Sequence, residues 1–298
     1  VRSGSLGPGK PVGGRASDSW KSRCIPVSGG ETLVGTRRPE LPLDGEGPPR
    51  KVRLRPFSVD PYCVTNEWFA KFVDSTGYVT DAERYGWSLV FWSFTDPQGS
   101  YQRVAQTPWW CKVDGAMWAR PNGPVSTVDG LADHPVTHVS WNDATAFAQW
   151  AEARLPTEAE WERAARGDMS DAIYPWGGDE PTDEKPLCNI WQGEFPQANT
   201  ATDGFEATAP VASFAANSIG IFNMVGNVWE WCADTFMIRS QRKAARLRNA
   251  ASRANGDRLA KGGSYLCHKS YCYRYRIAAR TGLSADSSAG HIGFRLVV

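Results

Sequence analysis

Histidine is scarce, with four in 298 residues (134, 138, 268 and 291), so there is little imidazole for a zinc centre or a histidine-based triad. His134 and His138 stand four apart, but Pro135 between them disfavours a helical metal face, and both read as structural. No apolar run approaches the roughly 20 residues of a membrane helix, and the opening VRSGSLGPGKPVGG lacks the apolar stretch of a secretory signal. Charge of one sign is also lacking: 33 Lys and Arg face 32 Asp and Glu, a net charge of +1, which argues against a nucleic-acid or membrane partner. Neither G-x-S-x-G, a P-loop nor a dinucleotide glycine fingerprint occurs, so serine-hydrolase and nucleotide-dependent readings lose their support. No fixed-period repeat is visible, which excludes a solenoid or propeller.

Other residues are plentiful. Fourteen Trp with 29 Gly and 20 Pro point to a loop-rich fold pinned by large aromatic side chains, in which long helices do not dominate. A chain of this length can bury about three quarters of its surface. Seven Cys (24, 63, 111, 188, 232, 267 and 272) are an odd number in a chain too large to need a disulfide framework, so at least one thiol is unpaired or does chemistry.

Charge is unevenly spread. From Arg239 onward 13 basic residues face two acidic ones, leaving about −10 on residues 1–238. Lys269, Arg274 and Arg276 lie close in sequence to Cys267 and Cys272 and could lower a thiol pKa; the plainer alternative is that these cations pair with the acidic body.

Residues 1–23 read as a flexible extension, with an ordered domain over 24–298. Alternation in VRLRPFSVD predicts a strand, and Thr65 or Asn66 is placed to cap a helix over Glu67–Asp74 that ends before Gly77. Residues 87–130, rich in Trp, Pro and Gly, show no period and are expected to be irregular. Two further helices follow, one capped by Asn142 or Asp143, the other opened by a Thr157–Glu160 capping box and closed by Gly167.

The sharpest signal is GGSYLCHKSYCYRYR. On a helix, positions five apart diverge by about 140°, so thiols of Cys267 and Cys272 that meet need a turn between them. The alternation from Tyr271 predicts a strand with Cys272, Arg274 and Arg276 on one face. Two convergent thiolates suit a redox disulfide or a low-coordinate soft metal such as Cu(I); structural zinc needs two more ligands, with only His268 nearby. A purely structural disulfide is the bland alternative.

With these residues in hand, the sequence resembles the formylglycine-generating enzymes, the sulfatase-modifying family, from about Gly29 to Arg295. The stretches are TNEWFAKFVDSTGY, HPVTHVSWNDATAFAQWAEARLPTEAEWERAARG, NIWQGEFP, GNVWEWCAD, GGSYLCHKSYCYRYRIAAR and DSSAGHIGFR. The resemblance implies an α+β fold, a single C-type-lectin-like domain with little regular secondary structure. It further implies Cu(I) on Cys267 and Cys272, O2 as co-substrate, and conversion of a cysteine in a Cys-x-Pro-x-Arg segment of an unfolded sulfatase precursor to Cα-formylglycine, with Ser264 and Trp229 in supporting roles. It also implies structural Ca2+ at two sets, one of Asn189, Ile190, Asp203 and Phe205, the other of Asn223, Gly226, Val228 and Glu230. A monomer without nucleic-acid or membrane partners is expected, in the cytoplasm of a bacterium or a secretory compartment of a eukaryote.

Two segments depart from the family pattern. Arg239–Lys261 is strongly basic, either a lineage-specific loop or a surface for an acidic partner, and Arg37–Pro48 does not align. Competing functions are oxidation of another thiol on the same fold, and a non-catalytic lectin-like binding module.

Overall fold

A computed structural model describes residues 15–298. Chain order runs β1 (Ile25–Val27), β2 (Gly30–Val34), β3 (Arg50–Leu54), β4 (Phe57–Val59), α1 (Asn66–Thr76), α2 (Asp81–Tyr85), β5 (Trp87–Phe91), β6 (Gln102–Val104) and β7 (Thr107–Asp114). It continues with α3 (Trp141–Trp150), α4 (Glu158–Arg166), β8 (Gly193–Glu194), β9 (Ala198–Asn199), β10 (Trp229–Thr235), α5 (Lys243–Asn255), β11 (Asp257–Lys261), β12 (Arg280–Ser284) and β13 (Ile292–Gly293). The elements are short and the connections long, as the Gly, Pro and Trp content implies. Among the described residues no helix is long and apolar enough to cross a membrane.

Local chemistry explains the helices. Thr65 caps α1 by accepting from the Trp68 amide, and Gly77 ends it in the left-handed conformation at φ +64°. The Thr157–Glu160 capping box opens α4 as expected, and Gly167 closes it. For α3 the expected cap is displaced: Ser140 is the N-cap, and Asp143 is its capping-box partner three residues in. A serine directly before Trp141 frees Asn142 to donate to Asp81.

Three other expectations change. A 3-10 turn at Asp18–Arg23 buries Trp20, which packs on Trp68 at 5.0 Å, so the ordered domain includes residues ahead of Cys24; residues 1–14 of the expected extension lie outside the described residues. Residues 87–114 hold an antiparallel three-stranded sheet in the order β5-β7-β6; in its central strand the successive residues Trp110 and Cys111 are both buried, so no clean alternation marks it. The predicted strand VRLRPFSVD is two strands, with β3 pairing β2 and β4 pairing β1.

A four-stranded sheet, β12-β11-β10-β13, backs the functional region, antiparallel except for the parallel pair β10 and β13. On one side sits the aromatic core, where Phe147 of α3 stacks on Phe69 of α1 at 5.7 Å and meets Phe294 edge-on at 5.3 Å. On the other side α4 delivers buried charge. Glu162 accepts from Lys261 Nζ of β11 at 2.8 Å, from Arg166 Nη1 at 2.9 Å and from the Gly35 amide at 2.8 Å. Glu230 of β10 accepts a fork from Arg295 at 2.6 and 2.7 Å, Trp161 Nε1 of α4 at 2.7 Å and the Cys63 thiol at 3.3 Å. Glu162, Lys261, Glu230 and Arg295 are all 0% exposed, so every charge depends on its partner.

Burial alone would push the Glu162 carboxyl up, but Lys261 and Arg166 outweigh it and hold it below the usual carboxylate range. The stability it contributes is therefore present above the unfolded pKa of about 4.3 and is lost as pH falls through its lowered native value. Glu162→Ala, which strands two buried cations, is expected to cost about 3–5 kcal/mol in urea unfolding at pH 7 and to flatten the acid limb of stability against pH.

Candidate active site

The loop from β11 to β12 carries the two cysteines. It leaves β11 through Gly262 (φ +93°) and Gly263 (φ +71°), where a Cβ would press on the Met224 carbonyl at 2.9 Å or the Tyr275 amide at 3.0 Å. Ser264 then starts a turn, with the Cys267 amide donating to the Ser264 carbonyl at 2.9 Å and the Ser264 amide donating to Cys267 Sγ at 3.4 Å. A second turn follows, its carbonyl from His268 accepting the amides of Tyr271 at 3.0 Å and Cys272 at 2.7 Å. Turn on turn brings Cys267 Sγ and Cys272 Sγ to 2.7 Å as free thiols, so the expected turn between them is present.

The strand expected from Tyr271 to Arg276 is not formed; the segment is irregular, and each side chain answers to a distant partner rather than to a pleat. Tyr271 stacks on Phe195 at 4.5 Å, Arg274 Nε donates to Asp44 Oδ2 at 2.6 Å, and Arg276 pairs with Glu46. Of the three cations beside the cysteines, only Arg274 faces sulfur, with Nη1 at 3.8 Å from Cys272 Sγ. Lys269 pairs with Glu180 and Arg276 with Glu46, as the plainer alternative had it.

The surroundings push the two thiols in opposite directions. Cys272 is held below the ordinary thiol value, first by the hydrogen bond from Cys267 and then, against burial, by Arg274; Cys267 is pushed well up by burial and by its neighbour. The two sulfurs lie at 2.7 Å, and of the two thiols Cys272 is the one the surroundings favour as the anion. The other thiols move the opposite way, Cys24 to about 11 and the buried Cys63, Cys111, Cys188 and Cys232 upward, all chiefly through burial.

Both cysteines floor a cleft of about 340 Å³ that also receives Ser264 and Trp229, so the four residues expected at the site are brought together. Its walls are Trp109, Trp110, Phe195 and Tyr271, which sequence reasoning did not single out because they come from three unrelated segments. Asp44 was missed for the same reason. His291 also faces the cleft, its ring 4.4 Å from Trp110, and burial lowers it to about 3, so it is neutral.

The donor set fits Cu(I). Two buried sulfurs converge in an apolar cleft; His268 turns its Nδ1 to Ser270, and among the described residues no three of His, Cys, Asp and Glu gather, so a four-ligand zinc site does not fit. The first calcium set also fits a hard cation. Asn189 Oδ1 and Asp203 Oδ2 are buried without a partner; Asn189 Nδ2 is fixed by the Ala207 carbonyl, and Asp203 Oδ1 accepts the Phe205 amide. Burial pushes the Asp203 carboxyl up, as expected of a carboxylate that lacks a counter-charge. At the second set the acidic member already has partners. Asn223 Nδ2 donates to the carbonyls of Pro210 and Val211, and the Glu230 carboxylate accepts from Arg295, Trp161 and Cys63.

Residues 15–298 match the family model of the sulfatase-modifying factor enzyme 1-like domain, and the chain belongs to that family. It is 51% identical to a formylglycine-generating enzyme of Thermomonospora curvata over 91% of each chain, and 48% identical to one from Bos taurus, covering 97% of this chain and 77% of that one. A Mus musculus relative named inactive C-alpha-formylglycine-generating enzyme 2 is 39% identical over 91% of this chain and 84% of its own. Among solved structures, PvdO from Pseudomonas aeruginosa shares the fold at 21% identity and TM-score 0.61, over 92% of this chain and 93% of that one.

The lowered Cys272 thiol beside Arg274 predicts selective chemistry. Iodoacetamide at pH 7 is expected to modify Cys272 ahead of the other buried thiols, and Arg274→Gln to slow that modification several-fold, read by peptide mass mapping.

Proposed function

We propose that the protein oxidises a cysteine in a Cys-x-Pro-x-Arg segment of an unfolded sulfatase precursor to Cα-formylglycine, using Cu(I) and O2. The observation that carries this reading is the pair Cys267 and Cys272, convergent and buried at the floor of an open cleft. The relatives named formylglycine-generating enzyme, 51% and 48% identical over 91% and 97% of this chain, support an oxidase acting on a peptidyl cysteine.

Cys267 and Cys272 would hold the copper, which supplies activation of O2 when bound. The chain's own residues do the rest. Arg274 stabilises negative charge on Cys272, and the Ser264 amide fixes Cys267 Sγ. Trp109, Phe195 and Tyr271 wall the sulfurs from bulk water. A cleft of about 340 Å³ admits an extended peptide of a few residues and no folded domain, which agrees with an unfolded substrate.

The stoichiometry is fixed by the products. The substrate –CH2SH becomes –CHO, sulfur leaves as hydrogen sulfide, and O2 takes two electrons from the carbon and two from an added thiol reductant, giving the aldehyde oxygen and water. Asn189 and Asp203, with the Ile190 and Phe205 backbone, would bind one Ca2+ that rigidifies the loop behind Trp191, whose amide donates to the Cys267 carbonyl at 3.0 Å.

Two outcomes test this. With copper, oxygen and dithiothreitol, a Cys-x-Pro-x-Arg peptide is expected to become about 18 Da lighter, and Cys272→Ser to lower its kcat/KM at least about 100-fold with unchanged thermal unfolding; undiminished turnover would refute the reading. Removing Ca2+ is expected to lower stability by about 2–3 kcal/mol, the linkage for a ligand near 100 times its Kd, and Asp203→Asn to abolish that response.

A further inference from the structure

A second hollow, about 770 Å³, lies between residues 36–49 and the start of α5, formed by the two segments whose sequences depart from the family pattern. Its rim carries four exposed arginines, Arg37, Arg239, Arg242 and Arg248, and among the described residues none of them forms an ion pair. The one acid in its lining, Asp44, is committed to Arg274 at 2.6 Å. The floor is apolar, from Pro39, Pro42, Leu43, Ile238 and Ala245, and Leu43 is 75% exposed. The first turn of α5 has no acid, and its N-cap Arg242 makes no side-chain capping bond, so the helix adds positive potential to that of the arginines.

Four uncompensated guanidinium groups around one hollow repel each other and focus a positive field on it. The occupant is therefore an anion, and the lining narrows its kind. No aromatic residue lines the groove, so bases have nothing to stack on, and a small inorganic anion would leave the apolar floor and exposed Leu43 unused. Carboxylates for the rim together with an apolar side chain for the floor describe an acidic peptide. Asp44 places this groove next to the cysteine cleft, since it lines the groove and holds Arg274 beside Cys272.

We propose that this groove binds an acidic segment of the polypeptide whose cysteine is oxidised, outside the Cys-x-Pro-x-Arg segment itself. The assignment of that segment to the substrate rests on the function proposed above; the affinity for an acidic peptide does not.

Fluorescence anisotropy of a labelled Glu/Asp dodecapeptide carrying one leucine, against its Gln/Asn counterpart, tests the binding on the full chain. Arg242→Glu with Arg248→Glu is expected to weaken the acidic peptide about tenfold or more, while Arg246→Glu with Arg253→Glu, an equal charge change on α5 outside the lining, leaves it within about twofold. Arg37→Ala with Arg239→Ala serves if the first pair shifts thermal unfolding. Equal weakening by both pairs, equal binding of the Gln/Asn peptide, or tighter binding of a single-stranded oligonucleotide would overturn the proposal. Turnover tests the link to the cleft: the acidic extension is expected to raise kcat/KM of a Cys-x-Pro-x-Arg peptide over the unextended one, and the groove variant to shrink that ratio about tenfold. An unchanged ratio would overturn the assignment to substrate. Failure of both peptides to react would refute the proposed oxidase, leaving anisotropy to decide the groove.

Discussion

The ion pair between Glu230 and Arg295 is the constraint on which the rest of the molecule depends. Both side chains are fully buried, and the guanidinium also donates to the carbonyls of Pro61 and Phe222, so a single residue ties β10, the end of the chain and two loops. Trp161 reaches the same carboxylate from α4. Such a site earns little net stability against apolar packing, yet any member removed alone leaves an unsatisfied charge, which makes the arrangement hard to rearrange. Trp229, the neighbour of Glu230 on β10, is thereby fixed in the cleft wall.

The chemistry lives in an irregular loop held from outside. The two turns between Ser264 and Cys272 are closed by backbone bonds, but their orientation comes from Asp44, Glu46, Phe195 and the Trp191 amide. A strand would have alternated Cys272 with its neighbours across a sheet; the loop instead lets two thiols face each other and one of them face Arg274.

Much of this was legible where the cause is local. Thr65, Gly77, the Thr157–Glu160 box and Gly167 act within four residues of themselves, and the sequence marks them accurately. The turn between the cysteines follows from helical geometry alone. What escaped were effects of distant partners. Tyr271 to Arg276 alternates like a strand, yet Arg274 and Arg276 answer to Asp44 and Glu46, 230 residues earlier. The partner of Glu230 escaped as well, since Arg295 lies 65 residues further on and only the fold brings it to that carboxylate. At α3 the error was one of registry, since Ser140, Asn142 and Asp143 are all competent caps and Asp81 decides among them.

Those long reaches also bear on how the molecule comes into being. Asp44 and Glu46 emerge from the ribosome long before Arg274 and Arg276, and Glu230 must wait for Arg295. The acids on the early part of the chain stay hydrated and unmatched through most of synthesis, and the thiol loop gains its bed only when nearly the whole chain is available. High contact order of this kind slows folding, so the cleft is among the last features to form rather than a seed around which the chain condenses.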